Sequence, residues 1–577
     1  MGRCRLRAVR AAALAAAVAA WVGAAPAASA AEPVVETHRV PTVGGAEINV
    51  EIVRPAGDAK APVILTYSPY NTLSEGTSPN LANDDLGQTY VPRGYARAVG
   101  DVLGTRNSSG CWDYGGADEQ QSGVDVVNYL ARQPWSNGKV AMIGASYDGT
   151  TANMVAARGD DAPGLAGIVP IAAISRWYGY AYGNGVRYLL NSDQPTDEGF
   201  DTPLAFDFGL VRTPPTDPSD PSFAQKLASR AHPCESVEHT LKGYSRSPDY
   251  DGFWRERDYL KDANEFRAAA LIAHGWQDYN VKQDEGVRLF EALGDSVPFK
   301  RAYLFQGAHE SPPGDAWQAL LDAFFEHTLK GVENGVDTGP AVITEGRTVD
   351  AGGYAVDGFR EEASWPPAET EEKTLWLRRT FDQDLPGVTV PGPGTGETGV
   401  LSDRPNTEPK DNVFSWVDTG AATEELSARD PLNEPGHGYY SLYFNSEPLA
   451  ADTRLAGRAV LDAVVRAEQG GASLTPILVD VSPDGSMRTV ERGFLNLDYR
   501  DGLETADPAP GKWVQARVGL LPQDFTFPKG HRIGLIVQSS NAVWAVPGSP
   551  GVANILTGPL PDVSPVGSRL TLPLAAP

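Results

Sequence analysis

The chain has 577 residues and a formal net charge of −26 at pH 7. Its length allows several hydrophobic cores, and its acidity disfavours binding to nucleic acid and to anionic membrane surfaces. The sequence therefore predicts a multidomain globular protein without either kind of partner.

Residues 1–30 have the composition of a secretory leader. Four arginines precede an Ala-rich apolar run, Ala11 to Ala25, and Ala28-Ser29-Ala30 has the small residues of a cleavage site. The apolar run is too short for a good membrane span. We therefore expect a Sec-type signal peptide and a secreted, extracellular chain that starts near Ala31.

Two cysteines, Cys111 and Cys234, would remain after cleavage of this leader. Export permits a disulfide between them. The sequence cannot place the two sulfur atoms within bonding distance, so a pair of buried thiols is an open alternative.

Strand and helix patterns alternate from residue 37 to residue 172. The predicted segments are a strand pair in 37–54 around Gly44-Gly45, strands at 62–67, 95–102, 140–143 and 165–172, and helices at 120–132 and 150–158. This alternation is typical of a parallel sheet with helices packed against it.

The segment Gly144-Ala145-Ser146 lies between the strand at 140–143 and the helix at 150–158. A sharp turn in this position raises a serine hydroxyl at the carboxyl edge of a sheet, and small residues are needed because the backbone is crowded there. Ser146 is therefore the predicted nucleophile. The pattern departs from the common G-x-S-x-G, because its second glycine is Gly149, and an ordinary Gly/Ser turn is the alternative interpretation.

Residues 176–262 interrupt the alternation with a segment rich in aromatic residues, proline and aspartate. An irregular insertion between two strands usually covers the carboxyl edge of the sheet, so this segment is the predicted cap. The sheet then resumes with predicted strands at 268–273 and 300–305 and predicted helices at 281–293 and 315–329.

Helical patterns end near residue 350, and short β-like runs follow at 374–377, 455–465, 474–481 and 532–537. We predict an α/β catalytic domain over 31–348 and an all-β sandwich over 349–577, with 361–373 as a linker. The string Gly394–Gly399 matches G-x-G-x-x-G, but it follows no predicted strand and opens no predicted helix. It therefore predicts no dinucleotide site, and no other cofactor or metal is expected.

A serine nucleophile needs a histidine base that is oriented by a carboxylate. In a sheet of this type the acid and the histidine follow the serine along the chain, each on a loop after a strand. Asp278 follows the strand at 268–273, and His309 follows the strand at 300–305. Asp278 and His309 are therefore the predicted acid and base.

The neighbouring polar residues receive other predictions. His274 is expected to pack at a strand end and bond a nearby backbone group, and Asp284 and Glu285 are expected on a solvated helix face. The tetrahedral intermediate needs hydrogen-bond donors. The backbone N–H of Tyr147 is one candidate donor, and the hydroxyl of Tyr70, at the end of the first long strand, is the other.

Several strings together resemble the Xaa-Pro dipeptidyl-peptidase family, which shares the α/β-hydrolase fold with cocaine esterase and the α-amino-acid ester hydrolases. They are Gly144–Thr150, Gln133–Gly138, Phe253–Arg257, His274–Lys282 and Gln306–His309. The resemblance spans essentially the whole mature chain and implies an α/β-hydrolase domain with a cap, followed by a C-terminal jelly roll.

The same resemblance implies a Ser146–Asp278–His309 triad and an oxyanion hole that includes Tyr70. One departure concerns a loop in which many relatives have Asp-Val-Arg-Gly-Thr-Gly. This chain has Asp101-Val102-Leu103-Gly104-Thr105-Arg106, which moves the arginine by three positions, so the resemblance assigns no structural role to Arg106.

The leading hypothesis is a secreted serine exopeptidase that removes X-Pro dipeptides from the amino termini of peptides. Its predicted substrate-binding residues are Trp177, Tyr178 and Trp276, with an acidic residue for the substrate ammonium. An esterase or amide acylase on the same scaffold is the alternative. A non-catalytic binding protein is the third hypothesis, against which the ordered triad argues. The β-sandwich is expected to close one side of the site or to support a homodimer.

Overall fold

The computed structural model describes residues 32–71, 84–190, 200–201, 214–216, 218–231, 247–379, 399–406, 413–418, 441–542 and 544–576. The predicted leader, Cys234 and most of the Gly394–Gly399 string lie outside these residues. Cys111 is disulfide-bonded, and its pairing with Cys234 stays a prediction. Residues 33–577 form one compact unit.

The first part of the chain builds a large mixed sheet. Its strands before the cap are β1 (Val34–Pro41), β2 (Glu47–Arg54), β3 (Ala61–Ser68), β4 (Ala96–Asp101), β5 (Ser136–Ala145) and β6 (Leu165–Ile171). The cap contains the short strands β7 (Tyr182–Gly183), β8 (Val186–Arg187), β9 (Leu189–Leu190) and β10 (Phe200–Asp201). The sheet continues with β11 (Ala269–Gly275), β12 (Lys300–Phe305), β13 (Val342–Asp350) and β14 (Gly353–Glu362).

Hydrogen bonding orders this sheet as β1-β2-β4-β3-β5-β6-β11-β12-β13-β14. The pairs from β4 to β13 are parallel, and the outer pairs β1–β2, β2–β4 and β13–β14 are antiparallel. The predicted α/β architecture is confirmed. Because the central strands are parallel, their carboxyl ends lie along one edge, and the turns after β3, β5, β11 and β12 meet there.

The helices lie between these strands. They are α1 (Asp85–Tyr90), α2 (Ala117–Ala131), α3 (Tyr147–Ala156), α4 (Trp177–Ala181), α5 (Phe223–Ala231), α6 (Gly252–Glu256), α7 (Asp284–Ala292) and α8 (Asp315–Lys330). Helix α2 begins three residues before the predicted start because the Asp113 carboxylate accepts the backbone N–H groups of Gly116, Asp118 and Glu119. These N–H groups would otherwise lack partners in the first turn.

The last part of the chain consists mainly of strands in the described residues, with one short 3-10 helix at Leu497–Tyr499. Its strands are β15 (Glu371–Arg379), β16 (Gly399–Ser402), β17 (Val413–Asp418), β18 (Leu442–Asn445), β19 (Thr453–Gly457), β20 (Val460–Ala467), β21 (Ser473–Val481), β22 (Met487–Arg492), β23 (Leu495–Asn496), β24 (Val514–Gly519), β25 (Gln523–Phe527), β26 (Arg532–Gln538), β27 (Gly551–Leu556) and β28 (Arg569–Ala575). We call β15 to β28, with their connections, the C-terminal β region. A separate hydrophobic core that includes Leu461, Phe525 and Leu535 holds it together.

The α/β part and the C-terminal β region share backbone hydrogen bonds. Strand β13 pairs with β12 and β14 and also, in parallel, with β25 of the C-terminal β region. The predicted boundary at 348/349 falls within β13, and the last three residues of the predicted linker, 371–373, belong to β15. The chain therefore continues from one part to the other through a paired strand.

Among the residues that the structure describes, no helix is both long and apolar enough to cross a bilayer.

Candidate active site

The sharp turn between β5 and α3 holds Ser146 in an unusual backbone conformation. Its φ of 61° and ψ of −127° lie in a region that residues other than glycine rarely adopt. A Cβ at Gly144 would lie 2.3 Å from the Cβ of Asp148, and one at Gly149 would lie 2.6 Å from the oxygen of Gly144. Both glycines are thus required by close contacts within the turn, and Ser146 is the strained residue between them.

Two hydrogen-bond donors lie beside the Ser146 hydroxyl. The hydroxyl oxygen of Tyr70, two residues beyond the end of β3, is 3.3 Å from Ser146 Oγ. The backbone N–H of Tyr147 donates to the same Tyr70 oxygen over 3.4 Å. When Ser146 Oγ adds to a carbonyl carbon, the carbonyl oxygen becomes an oxyanion. The Tyr70 hydroxyl and the Tyr147 N–H are the two donors beside this position, as a tetrahedral intermediate requires.

His309 and Asp278 form a second pair at the same edge of the sheet. Nδ1 of His309 lies 2.8 Å from Oδ2 of Asp278, which leaves Nε2 as the ring nitrogen that can accept a proton. Asp278 is fully buried, and burial alone would raise the pKa of its carboxyl. The adjacent His309 and His274 outweigh burial and hold the pKa of Asp278 below its usual value. The carboxylate is therefore ionised and can orient and stabilise a protonated imidazole.

The loops that carry this pair are in direct contact. Gln277 donates its backbone N–H to the oxygen of Gly307 over 2.9 Å. A Cβ at Gly275 would lie only 2.3 Å from the backbone oxygens of Gly307 and Ala308. The bare glycine at the end of β11 lets the Asp278 loop approach the His309 loop closely.

His274 makes the predicted backbone contact. Its Nε2 lies 2.8 Å from the oxygen of Val281. The same nitrogen is 3.4 Å from Oδ2 of Asp278, a contact that the sequence did not indicate. His274 is thus a second histidine in contact with the Asp278 carboxylate.

Sequence reasoning missed the support beneath Tyr147. Its hydroxyl donates to the Glu119 carboxylate, at 2.8 and 2.9 Å from the two oxygens, and accepts the indole N–H of Trp112. Glu119 also accepts the backbone N–H of Gly115. Burial raises the pKa of Glu119, and the neighbouring Asp113 raises it further. The only available signal was an acidic residue in the first turn of an otherwise apolar helix face, which is too common to indicate this role.

The prediction of a solvated face for Asp284 and Glu285 is wrong. Glu285 is 2% exposed and accepts the backbone N–H and the hydroxyl of Ser175. Asp284 bonds Arg288 and Arg458. The cap and the C-terminal β region cover the first turn of α7, which a helix pattern alone could not reveal.

The predicted substrate-binding residues lie in the interior in this structure. Trp177 packs against Tyr147, with ring centroids 5.5 Å apart, and is 2% exposed. Tyr178 is buried against other cap aromatics, and Trp276 is buried against Trp365. None of the three presents an exposed ring face, because each fills a gap between packed elements. Of the three, Trp177 is the residue that packs against Tyr147, the residue that follows Ser146.

Within the part of the chain that the structure describes, no group of three or more His, Cys, Asp or Glu side chains is arranged to hold a metal ion.

Comparison with protein families gives two adjacent matches. The model of the X-Pro dipeptidyl-peptidase (S15 family) matches residues 44–311, and that of the X-Pro dipeptidyl-peptidase C-terminal non-catalytic domain matches residues 334–559. A protein of Bacillus anthracis provisionally named Xaa-Pro dipeptidyl-peptidase is 28% identical over 558 residues, covering 90% of this chain and 83% of that one. A similarly named protein of Streptomyces avermitilis is 29% identical over 572 residues, covering 86% of this chain and 76% of that one.

Solved structures share the fold. A CocE/NonD family hydrolase from Staphylococcus aureus superposes with a TM-score of 0.70 at 17% identity, covering 94% of each chain. An α-amino acid ester hydrolase superposes with a TM-score of 0.64 at 19% identity, covering 97% of this chain and 100% of that one. These likenesses confirm the α/β-hydrolase fold with a C-terminal β region.

Proposed function

The chain belongs to the X-Pro dipeptidyl-peptidase (S15) family, and from this membership we propose that it is a serine exopeptidase that releases X-Pro dipeptides from peptide amino termini. The observation that carries the proposal is the site itself. Ser146 stands in a strained turn beside the Tyr70 hydroxyl, and His309 is bonded to a buried, ionised Asp278 on the adjoining loops.

In the proposed acylation step, Ser146 is the nucleophile and His309 is the base. Ser146 Oγ attacks the carbonyl carbon of the proline, and its proton passes to Nε2 of His309 while Asp278 stabilises the imidazolium. The oxyanion accepts hydrogen bonds from the Tyr70 hydroxyl and the Tyr147 N–H, and the contact between these two groups in the free enzyme is given up. The tetrahedral intermediate collapses as His309 returns the proton to the leaving amine.

Deacylation repeats the same steps with water. His309 takes a proton from a water molecule that attacks the acyl carbon, and Ser146 then leaves with a proton from the imidazolium. The released product is the dipeptide.

Recognition of a free amino terminus would require a carboxylate in a partly desolvated pocket. An unpaired ammonium is costly to bury, so removing either charge should weaken binding of the transition state. Much of the cap, where such a carboxylate is expected, lies outside the described residues.

Rates on matched substrates test the proposal. We expect the free-amine substrates Gly-Pro anilide and Ala-Pro anilide to be hydrolysed with kcat/KM roughly 10² or more above that of N-acetyl-Gly-Pro anilide, as loss of a buried charge pair predicts. Simple aryl esters serve as the comparison for acyl transfer without dipeptide recognition. Equal rates on free and blocked anilides, with faster turnover of the esters, would favour an esterase or acylase instead.

We propose further that the chain is exported and that residues 1–30 are removed. Support comes from the basic, apolar and small-residue segments of that stretch. Amino-terminal sequencing of the protein from the culture medium should begin near Ala31. Recovery of the chain only inside cells with Met1 retained would contradict export.

A further inference from the structure

The loop that carries Asp278 ends in a buried lysine that the proposed reaction does not use. We call residues 276–283, between β11 and α7, the acid loop. Lys282 is 2% exposed, and its ammonium donates to the backbone oxygens of Tyr279 over 2.8 Å and Asn280 over 3.3 Å. A buried amine needs such partners, because burying an unpaired polar group is unfavourable.

These bonds connect Lys282 to the catalytic carboxylate through one peptide group. The oxygen of Tyr279 and the N–H of Asn280 belong to the same peptide bond and point in opposite directions, since that bond is planar and trans. Lys282 binds the oxygen, and Oδ1 of Asp278 accepts the N–H over 3.0 Å. The orientation of this peptide plane therefore fixes one oxygen of the carboxylate whose other oxygen faces His309.

The ammonium rests on two other parts of the molecule. It lies 4.6 Å from the ring centroid of Tyr188 in the cap and 5.4 Å from that of Trp544 in the C-terminal β region. The Tyr279 ring also packs on Trp544, with centroids 4.6 Å apart. The backbone N–H of Leu189 donates to the oxygen of Trp544, which ties the cap to the same segment.

Burial lowers the pKa of Lys282 to about 7, and the nearby Asp278 opposes this change.

We propose that Lys282, supported by Trp544, is a positioning residue for Asp278. The proposal rests on the proposed function, because it takes Asp278 to be the catalytic acid. It gives a role to a region whose family model is described as non-catalytic. Trp544 supports the lysine, the lysine holds the Tyr279–Asn280 peptide, and that peptide orients the carboxylate toward His309.

Lys282→Met is the direct test, because methionine keeps a long apolar side chain and removes the N–H donors. We expect kcat on Gly-Pro anilide to fall about 10- to 100-fold with KM within about twofold, since a small misplacement of a catalytic group is costly. The acidic limb of the kcat/KM profile should move to lower pH, because a misplaced carboxylate stabilises the protonated imidazole less. If Lys282 only stabilised the fold, Lys282→Met would lower the melting temperature. It would then leave kcat and the pH profile of the folded protein unchanged.

Trp544→Leu and Trp416→Leu provide a matched pair. Both remove a buried tryptophan of the C-terminal β region, but Trp416 belongs to its separate core and bonds Ser539. We expect Trp544→Leu to lower kcat in the same direction as Lys282→Met, and Trp416→Leu to retain the wild-type kcat below its melting temperature. If Lys282→Met fails to fold, the tryptophan pair decides the question.

Two results separate failure of this proposal from failure of the proposed function. Wild-type kcat and pH profile in folded Lys282→Met, or equal kcat in the two tryptophan variants, would overturn the positioning role while an inactive Ser146→Ala left the proposed function intact. Activity in Ser146→Ala would instead refute the proposed function itself.

Discussion

The Tyr70 hydroxyl is the single group on which the proposed oxyanion hole most depends. It lies 3.3 Å from Ser146 Oγ and accepts the N–H of Tyr147. Tyr70→Phe removes this donor and little packing. We expect kcat on Gly-Pro anilide to fall about 10²- to 10³-fold with a small change in KM, the usual loss for one oxyanion donor.

Tyr129→Phe is the control for this substitution. Its hydroxyl bonds His38 at 2.8 Å, away from the site, so its kcat should match that of the wild type. An unchanged kcat in Tyr70→Phe would mean that the oxyanion is stabilised without this hydroxyl.

Some individual residues could be predicted from the sequence, and others could not. Ser146, Asp278 and His309 follow strand ends in a set order, so chain order and loop placement were enough to single them out. Glu119 and Lys282 act through Tyr147 and the Tyr279–Asn280 peptide, and nothing in local spacing indicates a contact made through a third group. Such supporting residues become visible only when packing is known.

At the level of elements, the contact between the acid loop and the His309 loop depends on Gly275. A Cβ there would lie 2.3 Å from two backbone oxygens of the neighbouring loop, which is too close for either backbone to remain in place. Gly275→Ala should therefore separate Asp278 from His309. We expect kcat to fall at least about 10²-fold, as for a displacement of about 1 Å, together with a lower melting temperature.

Gly294→Ala is the matched control, because a Cβ at Gly294 meets nothing within 4 Å. Its kcat should equal that of the wild type. Normal kcat in Gly275→Ala would show that the two loops can separate without loss of function.

The sequence predicted elements better where the pattern was local. The strand at 300–305 was predicted with the bounds that the structure shows. The run at 455–465 is two strands, β19 and β20, since Gly457 adopts a φ of +132° and separates them. The apolar pattern continues across this break, so periodicity alone could not locate the break.

For the molecule as a whole, buried acids should make stability depend on pH. Burial raises the pKa of Glu491 to about 8 from a usual value of 4.5, despite hydrogen bonds from Arg492 and Gln283 that lower it. Between these two pH values the unfolded chain releases a proton that the folded chain keeps. The Glu491 contribution to stability is therefore fully present below about pH 4.5 and is lost as pH rises to about 8.

Glu491→Gln should remove that dependence. We expect its free energy of unfolding, relative to the wild type, to rise by more than about 1.4 kcal/mol between pH 5 and pH 8, because a tenfold difference in proton affinity between the folded and unfolded chains corresponds to that free energy. Urea denaturation at both pH values measures the change. Glu371→Gln, at an exposed position of β15, is the control, and an equal pH dependence in the two variants would contradict the assignment.

Whole-molecule organisation was only partly predictable. Strand–helix alternation followed by β-like runs indicated an α/β part and a β part in that order, and both are present. The ion pair of Asp284 with Arg458 and the contact of Trp544 with Lys282 join distant parts of the chain. The charge of one residue or the aromatic ring of another does not identify its partner when that partner is far away along the chain. These contacts could therefore not be inferred from the sequence.

Mass spectrometry of a peptide digest shows whether Ser146 releases a dipeptide from a peptide amino terminus. A synthetic peptide with a free Ala-Pro amino terminus is incubated with the purified protein and with Ser146→Ala. We expect free Ala-Pro and a peptide shortened by two residues with the wild type, and release slower by at least about 10⁴-fold with Ser146→Ala. Equal release by the two proteins would contradict dipeptide release by Ser146. An intact peptide would also contradict it, if the same wild-type protein still hydrolyses aryl esters.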